Sequence, residues 1–231
     1  MARLFIPGPT DVAPDILEAQ AQPMVGHRSQ TFYDLFDRIQ PKLRRTLLTD
    51  QRVLITASSG SGLQEAALRN CVNERLLVCV CGAFGERWFK VAMSNGIPVD
   101  RIDAELGQPN TPREVENVLK VTSYDALAIV HNETSTGIEN PVAEIAELAR
   151  TVHPDILILV DAVSSAGGVK IETEAWGLDV LLTSSQKCFA LPPGLGFAAV
   201  SDKALARART VDCSSASVIT YKLSRHSCEE K

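Results

Sequence analysis

Short apolar runs that alternate with helical periodicity constrain this chain more than any other feature. The runs are Val53–Ala57, Leu76–Cys81, Pro98–Ile102, Ala126–His131, Ile156–Asp161, Val180–Ser184 and Gly196–Ser201. Several are apolar at successive positions, so both faces of the strand need cover. Amphipathic stretches fill the intervals. Thr111-Pro112-Arg113-Glu114 reads as a capping box with Pro at the first helical position, and Val115, Val118 and Leu119 then share a face. Asn140-Pro141 opens a second helix with Val142, Ile145, Ala146 and Ala149 as its stripe. Phe32, Leu35, Phe36, Ile39, Leu43 and Leu47 keep helical spacing, with a kink or break expected at Pro41. Lys203–Arg209 reads as a last helix. The alternation predicts a mostly parallel sheet with helices on both faces. In such sheets ligands bind beyond the carboxyl ends of the strands, so chemistry is sought just after each run.

Composition narrows the function classes. With 231 residues the chain has room for a core without a disulfide or metal staple. At 45% hydrophobic and 22% charged residues it is not a disordered segment. A net charge of −5 gives no electrostatic case for nucleic acid or an acidic membrane surface. No apolar run reaches the length of a membrane span, and the N-terminus has no apolar stretch of the secretory type. The six cysteines form no CxxC pair and no His cluster joins them. No metal site is expected, and core thiols in a reducing cytoplasm are the favoured reading.

Four strand ends carry candidate chemistry. Ser58 to Gly62 form a small Gly-containing turn before a helix marked by Leu63, Ala66, Ala67 and Cys71. A helix N-terminus of this kind suits a phosphate, although an ordinary strand–helix turn has the same composition. In Gly82-Ala83-Phe84-Gly85 an aromatic flanked by glycines could lie over a planar ligand, or belong to the core. Asp161 ends an all-aliphatic strand, and a buried Asp needs a cationic partner; an N-cap role is the alternative. Lys187 sits between a buried strand and a Pro/Gly turn, where desolvation can make an amine nucleophilic, while most turn lysines are simply solvated. The polar run His131–Gly137 closes another strand. Taken together, a phosphate cradle, a stacking aromatic, a carboxylate and a lysine describe the needs of pyridoxal phosphate.

The motifs PGPT (7–10), VGHRS (25–29), SSGSG (58–62), GAFGERW (82–88), HNETSTG (131–137), VDAVSSAGG (160–168) and SSQKCFALPPGLGF (184–197) resemble those of the class V aminotransferases of pyridoxal phosphate fold type I. The serine/alanine–glyoxylate aminotransferase branch is the nearest, and members labelled as a soluble hydrogenase subunit look similar. The resemblance implies a three-layer α/β/α large domain with a mostly parallel seven-stranded sheet. It implies that Lys187 binds the cofactor covalently and moves the substrate proton, and that Asp161 pairs with the ring nitrogen. It places Phe84 and Val163 on the two ring faces, and Ser61, Gly62 and Leu63 at the phosphate. Thr134 would hydrogen-bond the ring oxygen, Gln186 the phosphate region, and Gly26 and His27 would lie near a substrate entrance reached from the partner subunit. The reaction implied is amino transfer from alanine or serine to a 2-oxo acid such as glyoxylate, in a cytoplasmic homodimer.

From about Asp212 the sequence departs from the family pattern. The expected division is an N-terminal arm at 1–24, a cofactor-binding large domain at 25–209 and an unmatched tail at 210–231, without the C-terminal domain that carries a carboxylate-binding Arg in relatives. Tyr221 and Arg225 of the tail take over no family role. A truncated cofactor-binding protein with little activity is therefore one alternative, and a non-catalytic interaction protein is another. A cysteine desulfurase-like lyase ranks lower, because those enzymes carry His where this chain has Gln186.

Overall fold

A computed structural model describes residues 3–211. In chain order the elements are α1 (Pro14–Gln20), α2 (Gln30–Leu47), β1 (Arg52–Ala57), α3 (Gly60–Cys71), β2 (Leu76–Val80), α4 (Ala83–Ser94), β3 (Val99–Asp103), α5 (Pro112–Leu119), β4 (Ala126–Val130), β5 (Asn132–Glu133), β6 (Ile138–Glu139), α6 (Val142–Val152), β7 (Leu157–Asp161), β8 (Val180–Ser184), β9 (Leu195–Val200) and α7 (Asp202–Ala208). Each of the seven apolar runs is a strand of one sheet, in the order β1-β9-β8-β7-β4-β2-β3. The expected tail lies, from residue 212, outside the described residues.

Alternation along the strands builds two cores, one on each side of the sheet. Leu77, Cys79, Leu127, Ile129, Ile158, Val160 and Leu181 face α2, α5 and α6, whose buried residues include Leu43, Leu47, Val115, Leu119, Ile145 and Ala149. Their neighbours Leu76, Val78, Ala126, Ala128, Leu157, Leu159 and Leu182 face α3, α4 and α7 through Leu63, Leu68, Trp88, Ala92 and Ala204. Adjacent residues thus enter opposite cores, as a period of two requires, and the result is three layers.

Among the described strands of this sheet only β9 runs against the others, antiparallel to both β1 and β8. The ten residues between β8 and β9 are too few for a crossover helix, which parallel pairing would need. The remaining strands run one way, so the carboxyl ends of β1, β2, β4, β7 and β8 share an edge. Helix α2 continues through Pro41 without the break expected there. Its C-terminal half buries Leu43 and Leu47, while Leu35 and Phe36 earlier on the same stripe are exposed. The capping box at Thr111 forms, with the Thr111 hydroxyl accepting from Glu114 N–H and the Glu114 carboxylate accepting from Thr111 N–H.

At the opposite, amino-terminal edge, Asp179 ties three elements together. Its carboxylate accepts from Ile158 N–H at 2.9 Å, Arg150 Nη2 at 2.8 Å and the Ser201 hydroxyl at 2.8 Å. Asp179 is 2% exposed. Asp179→Ala leaves those donors unmatched and is expected to lower stability by roughly 3 kcal/mol in urea unfolding.

Candidate active site

The carboxyl ends of β1, β4, β7 and β8 and the start of α4 enclose a cavity of about 210 Å³. Asp161 and Lys187 both line it, with Ser61, Phe84, Thr134, Val163 and Gln186. Seven of the residues expected from sequence are therefore brought to one site, although they span more than a hundred positions of the chain.

Asp161 is the last residue of β7, between β4 and β8 in the middle of the sheet. It is 4% exposed. Val163 N–H donates to Oδ1 at 2.8 Å, and Gln64 Nε2 donates to Oδ2 at 2.6 Å. Burial pushes its carboxyl up from 3.8 to about 6, although both hydrogen bonds pull the other way. Among the described residues no ion pair reaches it. The site thus holds a buried carboxylate that a cation would relieve.

Lys187 lies in the loop after β8, beneath the N-terminal segment. Its Nζ donates to the Pro7 carbonyl at 2.7 Å. Thr10 fixes the segment above it: Thr10 N–H donates to the Gln186 carbonyl at 3.1 Å, and the Thr10 hydroxyl donates to the Lys187 carbonyl at 3.2 Å. Gly8 has φ +138°, and a Cβ there would come within 2.5 Å of Lys187 Nζ. The PGPT segment approaches the lysine this closely only because residue 8 has no side chain.

Phe84 stands in the first turn of α4, held by a buried carboxylate. Glu133 Oε2 accepts from the N–H groups of Phe84 and Gly85, both at 3.0 Å. Glu133 Oε1 accepts from the Ser135 hydroxyl at 2.6 Å, and Ser135 Oγ accepts from Ala83 N–H at 2.9 Å. An acidic group at a helix N-terminus is favoured by the dipole. On the other side, Val163 packs against the start of α3, where a Cβ on Gly60 would fall 2.6 Å from Val163 Cγ2.

The phosphate turn is only partly as expected. Ser59 caps α3, its hydroxyl accepting from Gly62 N–H at 3.2 Å. Gly60 and Ser61 N–H occupy the first helical turn, where an amide has no intrahelical acceptor. Ser59, Gly60 and Ser61 line the cavity. Leu63 does not: its amide bonds Ser59 O inside the helix at 3.0 Å, and its side chain is 1% exposed in the core. Gly62 is likewise off the cavity wall, as are Gly26 and His27, which lie in the exposed segment before α2. Cys188, read as a core thiol, is exposed, whereas Cys71, Cys79 and Cys81 are buried.

Gln64 and Arg87 of the lining, and Glu133 behind it, had no role of their own in the sequence reading. Gln64 left a trace, because it shares the buried face of α3 with Ala67, Leu68 and Cys71. A polar side chain on an apolar stripe needs a partner, and Asp161 is that partner. Pyridoxal phosphate fits this donor set. An amine and a buried carboxylate line one cavity, an aromatic and a valine flank it, and amides of a helix N-terminus stand at its rim. Among the described residues no group of three His, Cys, Asp or Glu comes together in a way that would hold a metal ion.

The aminotransferase class V family profile matches residues 15–231. An uncharacterized aminotransferase of Methanocaldococcus jannaschii is 37% identical over 204 residues, 87% of this chain and 52% of the relative. A serine–glyoxylate aminotransferase of Hyphomicrobium methylovorum is 34% identical over 87% of this chain and 51% of its own length. The solved structure of an alanine–glyoxylate aminotransferase from Nostoc sp. superposes with a TM-score of 0.84 at 30% identity, covering 96% of this chain and 60% of that one. The chain spans about half the length of the curated relatives it matches.

The Asp161 carboxyl makes stability pH-dependent with a definite sign. Its folded pKa is raised, so its contribution is fullest below about pH 3.8 and is lost as pH rises through about 6. The interval is worth roughly 3 kcal/mol. Asp161→Asn avoids that loss. Gln64 Oε1, which has no partner, can accept from the new amide if the Gln64 side chain flips. In urea unfolding without added cofactor, the Asn variant is expected to be more stable than the parent by about 1–3 kcal/mol at pH 8, with the gap closing toward pH 4.

Proposed function

Because the chain belongs to the class V aminotransferase family, we propose that it moves an amino group from a small amino acid, alanine or serine, to a 2-oxo acid such as glyoxylate, with pyridoxal phosphate as cofactor. The observation that carries this reading is the meeting of Lys187 and Asp161 on one cavity, at the strand edge where an α/β sheet binds its ligands. Relatives with serine–glyoxylate and alanine–glyoxylate activity support the substrate class.

When bound, the cofactor supplies a carbonyl that captures amines and a ring that accepts the electrons of a substrate carbanion. The residues have separable tasks. Lys187 Nζ, released from the Pro7 carbonyl, would take the proton from the substrate α-carbon and return it to the cofactor carbon on the other side of the transferred nitrogen. Asp161, fixed by Val163 and Gln64, keeps the ring nitrogen protonated and is itself relieved of an unpaired buried charge. Phe84 and Val163 wall the ring, Thr134 offers a hydroxyl to the ring oxygen, and the start of α3 with Gln186 receives the phosphate.

A cysteine desulfurase-like reading has less support. Gln186 precedes the lysine, and Cys188 is turned to the Ser164 carbonyl, 3.2 Å from its sulfur, away from the cavity. A homodimer is part of the proposal. Phe5, Met24, Tyr33, Leu35 and Phe36 expose apolar surface near the N-terminal segment and α2, which a second copy would cover. The proposed setting is the cytoplasm. Among the described residues no helix is long and apolar enough to cross a membrane.

Pyridoxal phosphate added to the purified chain is expected to give a visible absorbance band that is absent in Lys187→Ala. Alanine and glyoxylate should then yield pyruvate, with kcat lowered about 100-fold or more in Asp161→Asn. A band without pyruvate would favour a cofactor-binding protein without turnover, and no band would overturn the reading. Light scattering is expected to report a dimer; a monomer would remove that part of the proposal.

A further inference from the structure

We propose that Arg87 is the cation that balances the cofactor's phosphate, an assignment that rests on the pyridoxal phosphate reading of this cavity. Arg87 lies on α4, three residues after Phe84, and lines the cavity. Its Nη1 donates to the Ser61 hydroxyl at 2.9 Å, at the first turn of α3. The guanidinium carbon stands 4.9 Å from the centroid of the Phe84 ring, a cation–π contact that turns the fork along the cavity wall.

Charge arithmetic gives this position its meaning. A phosphate monoester carries close to two negative charges near neutral pH. A helix N-terminus offers about half a positive charge, which leaves most of that charge unmatched. The cavity lining holds two cationic side chains, Arg87 and Lys187, and Lys187 Nζ is at the Pro7 carbonyl. Leu63, next along the α3 turn, is apolar and buried, so it brings no polar contact. Arg87 makes no ion pair among the described residues. The adjacent carboxylate, Glu86, is taken by Lys90 at 3.4 Å and by Arg101 at 2.5 Å. An arginine without a carboxylate, anchored on the hydroxyl beside the α3 amides, presents a planar fork that matches two phosphate oxygens. The same group is close enough to favour the charged form of Asp161 while the cavity holds no ligand.

The test uses the full chain and two probes that differ only in the phosphate. Pyridoxal phosphate and pyridoxal are titrated into the parent, Arg87→Gln and Arg87→Lys, following the visible band and the fluorescence of Trp88 and Trp176. In Arg87→Gln the affinity for pyridoxal phosphate is expected to fall about 10- to 100-fold, while that for pyridoxal changes less than about twofold. Arg87→Lys should recover part of the loss, since it keeps the charge but not the fork. Inorganic phosphate should raise the unfolding temperature of the parent and not that of Arg87→Gln. Equal losses for both aldehydes, or unchanged affinity for pyridoxal phosphate, would overturn the assignment. A parent chain that binds neither aldehyde would overturn the cofactor reading and the role of Arg87 with it.

Discussion

Asp161 is a carboxylate placed where the sheet is most thoroughly covered, and the rest of the site is organised around that placement. Its backbone pairs with Val130 of β4 and Leu182 of β8, so it cannot retreat from the sheet. Its side chain is tied to α3 through Gln64 and to the following turn through Val163 N–H. Burial disfavours the charged form, and two hydrogen bonds recover only part of that cost. On the proposed function a ligand supplies the missing charge, through a protonated ring nitrogen. The same buried charge that costs stability in the free chain would then contribute binding in the loaded one.

The cavity walls are held from behind by side chains that bond backbone groups. Glu133, fully buried, gathers the N–H groups of Phe84 and Gly85 and the hydroxyl of Ser135. It therefore sets the position of the aromatic wall and the direction of α4, and with it where Arg87 emerges. Thr10 does the equivalent on the other side, binding the N-terminal segment to the backbone of Gln186 and Lys187. Residues more than 170 positions apart in sequence thereby share one short stretch of backbone. Precise placement of this kind is what an amine that moves a proton between two carbons requires.

Much of this was legible in the chain before any coordinates. Strands buried on both faces announce themselves as unbroken apolar runs, and all seven were found within a residue or two of their ends. Asp161 stood out because a carboxylate ending an all-aliphatic strand is unusual, whereas Lys187 gained weight only beside the other strand-end features. What was not legible depended on tertiary contact. The reversed direction of β9 follows from loop length, which becomes informative only once β8 and β9 are known to pair. Pro41 was read as a kink or break; no break occurs, since the α2 turns on either side continue and Leu43 and Leu47 pack into the core. The resemblance put Leu63 at the phosphate, whereas its side chain follows the helical stripe into the core. Glu133 and Arg87 sat inside quoted motifs without a role, since nothing local tells a carboxylate that caps another helix from a solvated one.

On the proposed function Asp161 is a buried carboxyl whose charge the cofactor completes. Its titration can be followed directly by carboxyl infrared difference spectroscopy, with Asp161→Asn to identify the band, in the chain with and without pyridoxal phosphate. A midpoint near 6 is expected in the free chain. With the cofactor bound, the carboxylate should stay ionised to well below that pH, because a cation then faces it. The same midpoint in both states, or an ordinary carboxylate midpoint near 4 in the free chain, would contradict it.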